Sequence, residues 1–130
     1  MVDFERHSRH ITLPNVGIEG QTKLSQSKIL CVGAGGLGSP VIQYLAAAGV
    51  GKITVIDDDV VNLSNLQRQV IHRTPDVGIP KVESAKRFVN DLDPNIEIIP
   101  LVKRLTEENI ESIFANQDVI VDGTDNINTR

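Results

Sequence analysis

One stretch constrains the fold more than any other. Residues 28–32, Lys28-Ile-Leu-Cys-Val32, are an unbroken apolar run after the opening lysine. Such a run suits a strand covered on both faces of a parallel sheet. Gly33-Ala-Gly-Gly-Leu-Gly38 follows at once. Then Val41, Ile42, Leu45 and Ala48 recur on one helical face, and Gly49 provides a stop. The loop fits G-x-G-x-x-G at Gly33, Gly35 and Gly38, with Gly36 inside it. Glycines let backbone approach a phosphate closely, and the helix start supplies N–H groups and partial positive charge. A glycine-rich helix start can also exist without a ligand. Its place between a clear strand and a clear helix favours a nucleotide.

The same alternation continues. Residues 52–56 read as a second strand running into Asp57-Asp58-Asp59, and residues 60–79 as a polar loop. Pro80 suits the first turn of a helix whose apolar face is Val82, Ala85, Val89 and Leu92. Asp93-Pro94 ends it. Residues 96–101 form a third strand. Thr106 is the expected N-cap of a further helix, with Glu107 and Glu108 in its first turn and Ile110, Ile113 and Phe114 on its apolar face. Residues 119–121 form a fourth strand, ending in Asp122-Gly-Thr-Asp-Asn126. The pattern predicts an α/β, Rossmann-like, mostly parallel sheet with helices on both faces. Residues 1–25 are expected to form an N-terminal helical arm, with Val16, Ile18 and Leu24 at helical spacing. Residues 26–130 are expected to be the nucleotide-binding part of a domain. A doubly wound domain normally has more strands, so the chain reads as an N-terminal fragment.

Composition narrows the function classes. Net charge is −4, no Lys/Arg-rich block occurs, and the aromatics are three Phe, one Tyr and no Trp. Nucleic acid is not an expected partner. No apolar run approaches the roughly 20 residues of a membrane span. The opening MVDFERHSRH lacks the apolar core of a signal peptide. The single cysteine, Cys31, can form no internal disulfide, and its mid-strand place predicts a buried, unreactive thiol. A cytoplasmic location is the expectation.

Ligands of open α/β sheets bind at the carboxyl ends of strands, and three strands here end in unusual residues. Asp57, about 20 residues beyond the glycine loop, can accept hydrogen bonds from both ribose hydroxyls. Adjacent Asp58 and Asp59 repel it and each other unless a cation or donor compensates, so one should face a metal or a basic side chain. A solvated place is as natural for Asp58. The loop Asn62-Leu-Ser-Asn-Leu-Gln-Arg-Gln69 offers Asn65 as a neutral donor and Arg68 as a forked cation, the parts of a polyphosphate clamp. Lys81 begins a helix, where it meets the positive dipole end; a bound anion offsets that. Asp125 can hold Mg²⁺ beside phosphates, or Asp125 and Asn126 can simply close an Asx-turn. Arg6, His7, Arg9 and His10 form a small basic cluster, ordinarily a solvated face. His72 has no evident partner and reads as structural.

Together these residues resemble a known family. Arg6-x-x-Arg9, GAGGLGS at 33–39, Asp57, NLSNLQRQ at 62–69, VGIPKVESA at 77–85 and DGTDN at 122–126 are similar to the ThiF/MoeB/HesA group. These are adenylating relatives of ubiquitin-activating enzymes. The resemblance implies use of ATP·Mg²⁺ to join AMP to the C-terminal carboxylate of a small β-grasp sulfur-carrier protein ending in Gly-Gly, with release of pyrophosphate. Molybdopterin or thiamin biosynthesis would be the setting, the molybdopterin type being favoured. Carried over, Gly33, Gly35, Gly36 and Gly38 contact the nucleotide and Asp57 holds the ribose. Asn65, Arg68 and Lys81 neutralise the triphosphate. Asp125 positions Mg²⁺, and Asn126 touches the nucleotide. Arg9 crosses to the phosphates of the other subunit of a homodimer. The rest of an adenylation domain, with a possible structural Zn²⁺ site and a transfer cysteine, would lie beyond residue 130. Two other readings stand beside this one. A nicotinamide-dependent oxidoreductase shares the glycine loop and Asp57, but leaves Asn65, Arg68, Lys81 and Asp125 without a purpose. A non-catalytic partner subunit would not need the full set.

Overall fold

The computed structural model describes residues 3, 5–13, 16–35, 38–67, 69 and 71–123. After two helices, α1 (Ser8–Ile11) and α2 (Gly17–Gln26), come β1 (Lys28–Val32), α3 (Gly38–Ala48) and β2 (Lys52–Ile56). Two short 3₁₀ turns follow, Leu63–Asn65 and Thr74–Asp76, then α4 (Lys81–Leu92), β3 (Glu97–Leu101), α5 (Ile110–Phe114) and β4 (Val119–Asp122). The strands form one sheet in the order β3-β2-β1-β4, and each neighbouring pair is parallel. The expected α/β architecture is therefore the observed one. The chain moves outward from β1 to β3, then crosses to the other side of β1. The direction of winding reverses beside β1, and the glycine loop leaves the carboxyl end of that strand.

Strand alternation divides the core into two layers. On one face Ile29, Cys31, Ile53 and Val55 meet Ile42 and Ala46 of α3 and Val82, Ala85 and Val89 of α4. On the other, Leu30, Val32 and Ile56 meet Ile113 and Phe114 of α5. The first layer supplies most of the hydrophobic stabilisation, since every one of these side chains is removed from water. Cys31 lies within it, and burial pushes its thiol up to about 12, as expected of an unreactive cysteine.

Three local expectations need correction. Residues 60–79 are more than a polar loop: Val61 and Ile71 are fully buried, and Gln69, His72 and Asp76 are nearly so. The stem is closed by Val61 N–H donating to Ile79 O at 2.8 Å and Gly78 N–H to Val61 O at 2.8 Å. His72 and Asp76 both meet Ser84 Oγ, at 2.8 and 2.7 Å. Ile18 does not build the inner face of the arm; it is exposed, and Gln21 is buried instead. Gln21 Nε2 donates to Ala48 O at 2.9 Å, while its Oε1 accepts from His10 Nδ1 at 3.1 Å. The arm thus docks through polar contacts that helical periodicity cannot reveal. Finally, α5 begins at Ile110, not directly after Thr106. Thr106 and Asn109 still bracket the preceding turn: Thr106 N–H donates to Asn109 Oδ1 at 2.8 Å, and Asn109 N–H donates to Thr106 Oγ1 at 3.4 Å.

Candidate nucleotide-binding site

The glycine loop is shaped by contacts that exclude side chains. A Cβ on Gly38 would fall onto the Gly33 carbonyl, and Gly33 holds φ of 103°. A Cβ on Gly123 would lie 3.0 Å from the Gly38 backbone, so the end of β4 packs directly on the loop. The carboxyl ends of β1 and β4 meet here, with β2 alongside.

Asp57 stands at the end of β2 and ties these parts together. Its Oδ2 accepts from Ala34 N–H at 2.9 Å and its Oδ1 from Asp59 N–H at 2.8 Å. Each carboxylate oxygen keeps a second lone pair for a further donor. Among the three aspartates, Asp59 is the one that faces a cation: its Oδ2 lies 3.7 Å from Lys81 Nζ. Asp58 is exposed.

Lys81 is buried, with its side chain 8% exposed, against 73% for Asp59. An exposed partner at this distance compensates a buried ammonium only weakly. The ammonium points at the glycine loop. A Cβ built on Gly35 would lie 3.8 Å from Lys81 Nζ and 3.5 Å from Gln69 Nε2. Gln69 is also buried, and its Oε1 has no hydrogen-bond partner among the described residues. A buried cation and a buried carboxamide therefore converge on the bare backbone of Gly35. That arrangement suits a phosphate group, which would supply the missing negative charge.

Asn65 is half-buried in the first 3₁₀ turn. Its Oδ1 accepts from Asn62 N–H at 3.0 Å, so Nδ2 is the amide end left to donate. Arg9 is exposed on α1, and its guanidinium pairs with no described residue. The rest of the basic cluster is structural. Arg6 bridges to Asp93 at 3.6 Å, and His7 is buried and stacked on His10. Gly36, Arg68, Asp125 and Asn126 lie outside the described residues. Among the described residues, no group of three or more His, Cys, Asp or Glu side chains could hold a metal, and no helix is long and apolar enough to cross a membrane.

Sequence reasoning gave His72 no partner. The structure buries it against the loop, with Nε2 2.8 Å from Ala34 O and Nδ1 2.8 Å from Ser84 Oγ. A separate cleft of about 210 Å³, lined by His7, Gln21, Gly49 and Asp93, opens at the amino end of the sheet. That is the wrong end for ligand binding in this architecture.

Comparison with known proteins agrees with this geometry. The chain matches the ThiF family over residues 7–130. It is 53% identical over 127 residues to the SAMP-activating enzyme E1 of Haloferax volcanii, covering 98% of this chain and 47% of that protein. It is 44% identical over 128 residues to a probable molybdopterin-synthase adenylyltransferase of Porphyra purpurea, covering 98% of this chain and 34% of that protein. The probable adenylyltransferase/sulfurtransferase MoeZ of Mycobacterium tuberculosis is 48% identical over 128 residues, covering 98% of this chain and 33% of its own length. Among solved structures, the E. coli tRNA N6-threonylcarbamoyladenosine dehydratase TcdA in complex with ATP superposes with a TM-score of 0.90 at 25% identity, covering 97% of this chain and 51% of that one. E. coli MccB with ATP superposes with a TM-score of 0.78 at 29% identity, covering 91% and 37%. The chain spans about half or less of these relatives. Glycine loop, aspartate-ended β2, buried lysine and sequence likeness agree, and the chain belongs to the ThiF family.

Proposed function

We propose that this chain carries the nucleotide-binding part of an ATP-dependent adenylyltransferase. Its substrate would be the C-terminal carboxylate of a small β-grasp, ubiquitin-like sulfur carrier ending in Gly-Gly. The observation that carries the reading is the buried Lys81 ammonium aimed at the Gly35 backbone beside Gln69. A nicotinamide dinucleotide, with its shorter phosphate chain, could also use Lys81 but would leave Asn65 and Arg68 without a task. The relatives at 44–53% identity bear adenylyltransferase or activating-enzyme names. TcdA, a tRNA N6-threonylcarbamoyladenosine dehydratase, stands at 25%.

In this reading Asp57 receives the ribose hydroxyls, and Gly33, Gly35, Gly36 and Gly38 let the α-phosphate approach the backbone. Lys81, Arg68 and Asn65 neutralise the triphosphate as charge moves to the departing pyrophosphate. The carrier carboxylate is itself the nucleophile, so no protein base is required. The protein's task is to align two anions in line and lower their repulsion. Asp125 would hold Mg²⁺, which would supply further charge neutralisation at the phosphates, and Asn126 would touch the nucleotide. Arg9, exposed and unpaired among the described residues, would reach the phosphates of a second subunit in a homodimer. Molybdopterin biosynthesis is the favoured setting, in the cytoplasm. Arg68→Ala and Asp125→Ala, each in the intact protein, should abolish adenylation while far-UV circular dichroism stays unchanged. Near-normal turnover in either variant would refute the assignment.

A further inference from the structure

Ala34, the second residue of the glycine loop, is fully buried and held at both of its polar ends. Its N–H donates to Asp57 Oδ2 at 2.9 Å. Its carbonyl is approached by Ser39 Oγ at 3.2 Å and by His72 Nε2 at 2.8 Å. A carbonyl can only accept, so Nε2 must carry a proton for this contact to be favourable. His72 is 3% exposed. The charged groups that face it are Lys81, Asp76 and Asp57, and burial holds its pKa below the ordinary 6.5. The Ala34 contact places a ring N–H on Nε2.

Ser84 anchors the other side of the ring. Its Oγ lies 2.8 Å from Nδ1 and donates to Asp76 Oδ2 at 2.7 Å. Asp76 is itself held, Oδ2 by Arg73 N–H at 3.1 Å and Oδ1 by Arg87 Nη1 at 3.2 Å.

We propose that His72 is a positioning residue for the nucleotide site: through Nε2–H it grips the Ala34 carbonyl and so fixes the direction of the Gly35 N–H. The carbonyl and the N–H belong to one planar trans peptide and point in opposite directions, so holding one aims the other. Gly35 is the residue that Lys81 Nζ and Gln69 Nε2 flank. A preset peptide there removes an ordering cost from phosphate binding. His72 touches no substrate in this account and acts through Ala34. The proposal rests on the reading that phosphates bind at this loop.

The test is ATP titration of the intact protein and its variants, well below their melting temperatures. His72→Phe keeps an aromatic ring but removes the donor, and should weaken ATP binding by about tenfold, the upper end for one neutral hydrogen bond. His72→Gln sets an amide N–H where Nε2 stands and should restore affinity to within about twofold of the parent, since a donor is again present. Nitrogen-15 NMR of the parent should show the Nε2–H tautomer, a signature a merely space-filling histidine need not have. A Phe variant that binds like the parent, or a Gln variant no better than Phe, overturns the proposal. If His72→Phe does not fold, Ser84→Ala serves instead. It removes the contact that steadies the ring at Nδ1 and should weaken ATP severalfold, and an unchanged affinity would overturn the proposal. A parent that binds no ATP sinks the nucleotide reading and this inference together. A parent that binds, with variants that bind equally, sinks the inference alone.

Discussion

Lys81 is the residue whose placement says most about the site. Its position at a helix start was already informative in the sequence, because a lysine there opposes the helix dipole. Burial, seen only in the structure, adds a desolvation cost that the exposed Asp59 does not offset. Lys81→Met, which keeps the buried stem, should leave the melting temperature unchanged or slightly raised. Pyrophosphate exchange should fall by at least about 100-fold, or about 2.7 kcal/mol of transition-state stabilisation. Thermal melts and exchange assays on the same preparation check both halves. Asp57 was legible for the same kind of reason, since an acid at a strand end invites a ligand. His72 was not legible. Its partners, Ala34 and Ser84, lie 38 and 12 residues away, and only the fold brings them to the ring.

The elements of the sheet were readable because parallel strands buried on both faces leave continuous apolar runs, and helices leave a 3.6-residue period. What escaped was held by polar contacts. The arm is the clearest case. Gly49, at φ of 92°, lies under His7 and Gln21, and a Cβ there would come within 2.6 Å of Gln21 Nε2 and 2.7 Å of His7 Nε2. Gly51 N–H also donates to Leu24 O at 3.1 Å, which joins α2 to the start of β2. Gly49→Ala should therefore loosen the arm and cost about 2 kcal/mol or more through backbone strain. Limited proteolysis should then cut within residues 5–26 before the sheet is attacked. Equal protection of arm and sheet in the variant would show that this turn does not govern docking. The closed 60–79 segment teaches the same lesson: its sequence is polar, yet Asp76, Ser84 and His72 satisfy one another inside.

At the scale of the whole molecule, two buried histidines set an acid limit. Burial holds both His7 and His72 below the ordinary 6.5, with His10 adding to the effect at His7 and Lys81 at His72. The unfolded chain then binds more protons than the folded one just below pH 6.5. Stability should be full above that pH and should fall as pH drops through 6.5 toward the folded-state values. Burial works against ionisation of Asp76, but hydrogen bonds from Ser84, Arg73 N–H and Arg87 outweigh it and hold its carboxyl below the ordinary 3.8. Its contribution is present above pH 3.8 and is lost only in stronger acid. Melting temperature should therefore be flat above about pH 7 and decline from 6.5 downward. His72→Gln should make that decline shallower, and an unaltered slope would remove His72 from the account.

The central claim is that this nucleotide site activates a carboxylate. Pyrophosphate–ATP exchange by the intact protein, with and without β-grasp carriers ending in Gly-Gly, tests it most directly. Exchange that appears only when a matching carrier is present is the predicted result, and the carrier that elicits it names the pathway. Measurable ATP binding with no exchange from any carrier would contradict the claim, leaving a nucleotide site without the proposed adenylation.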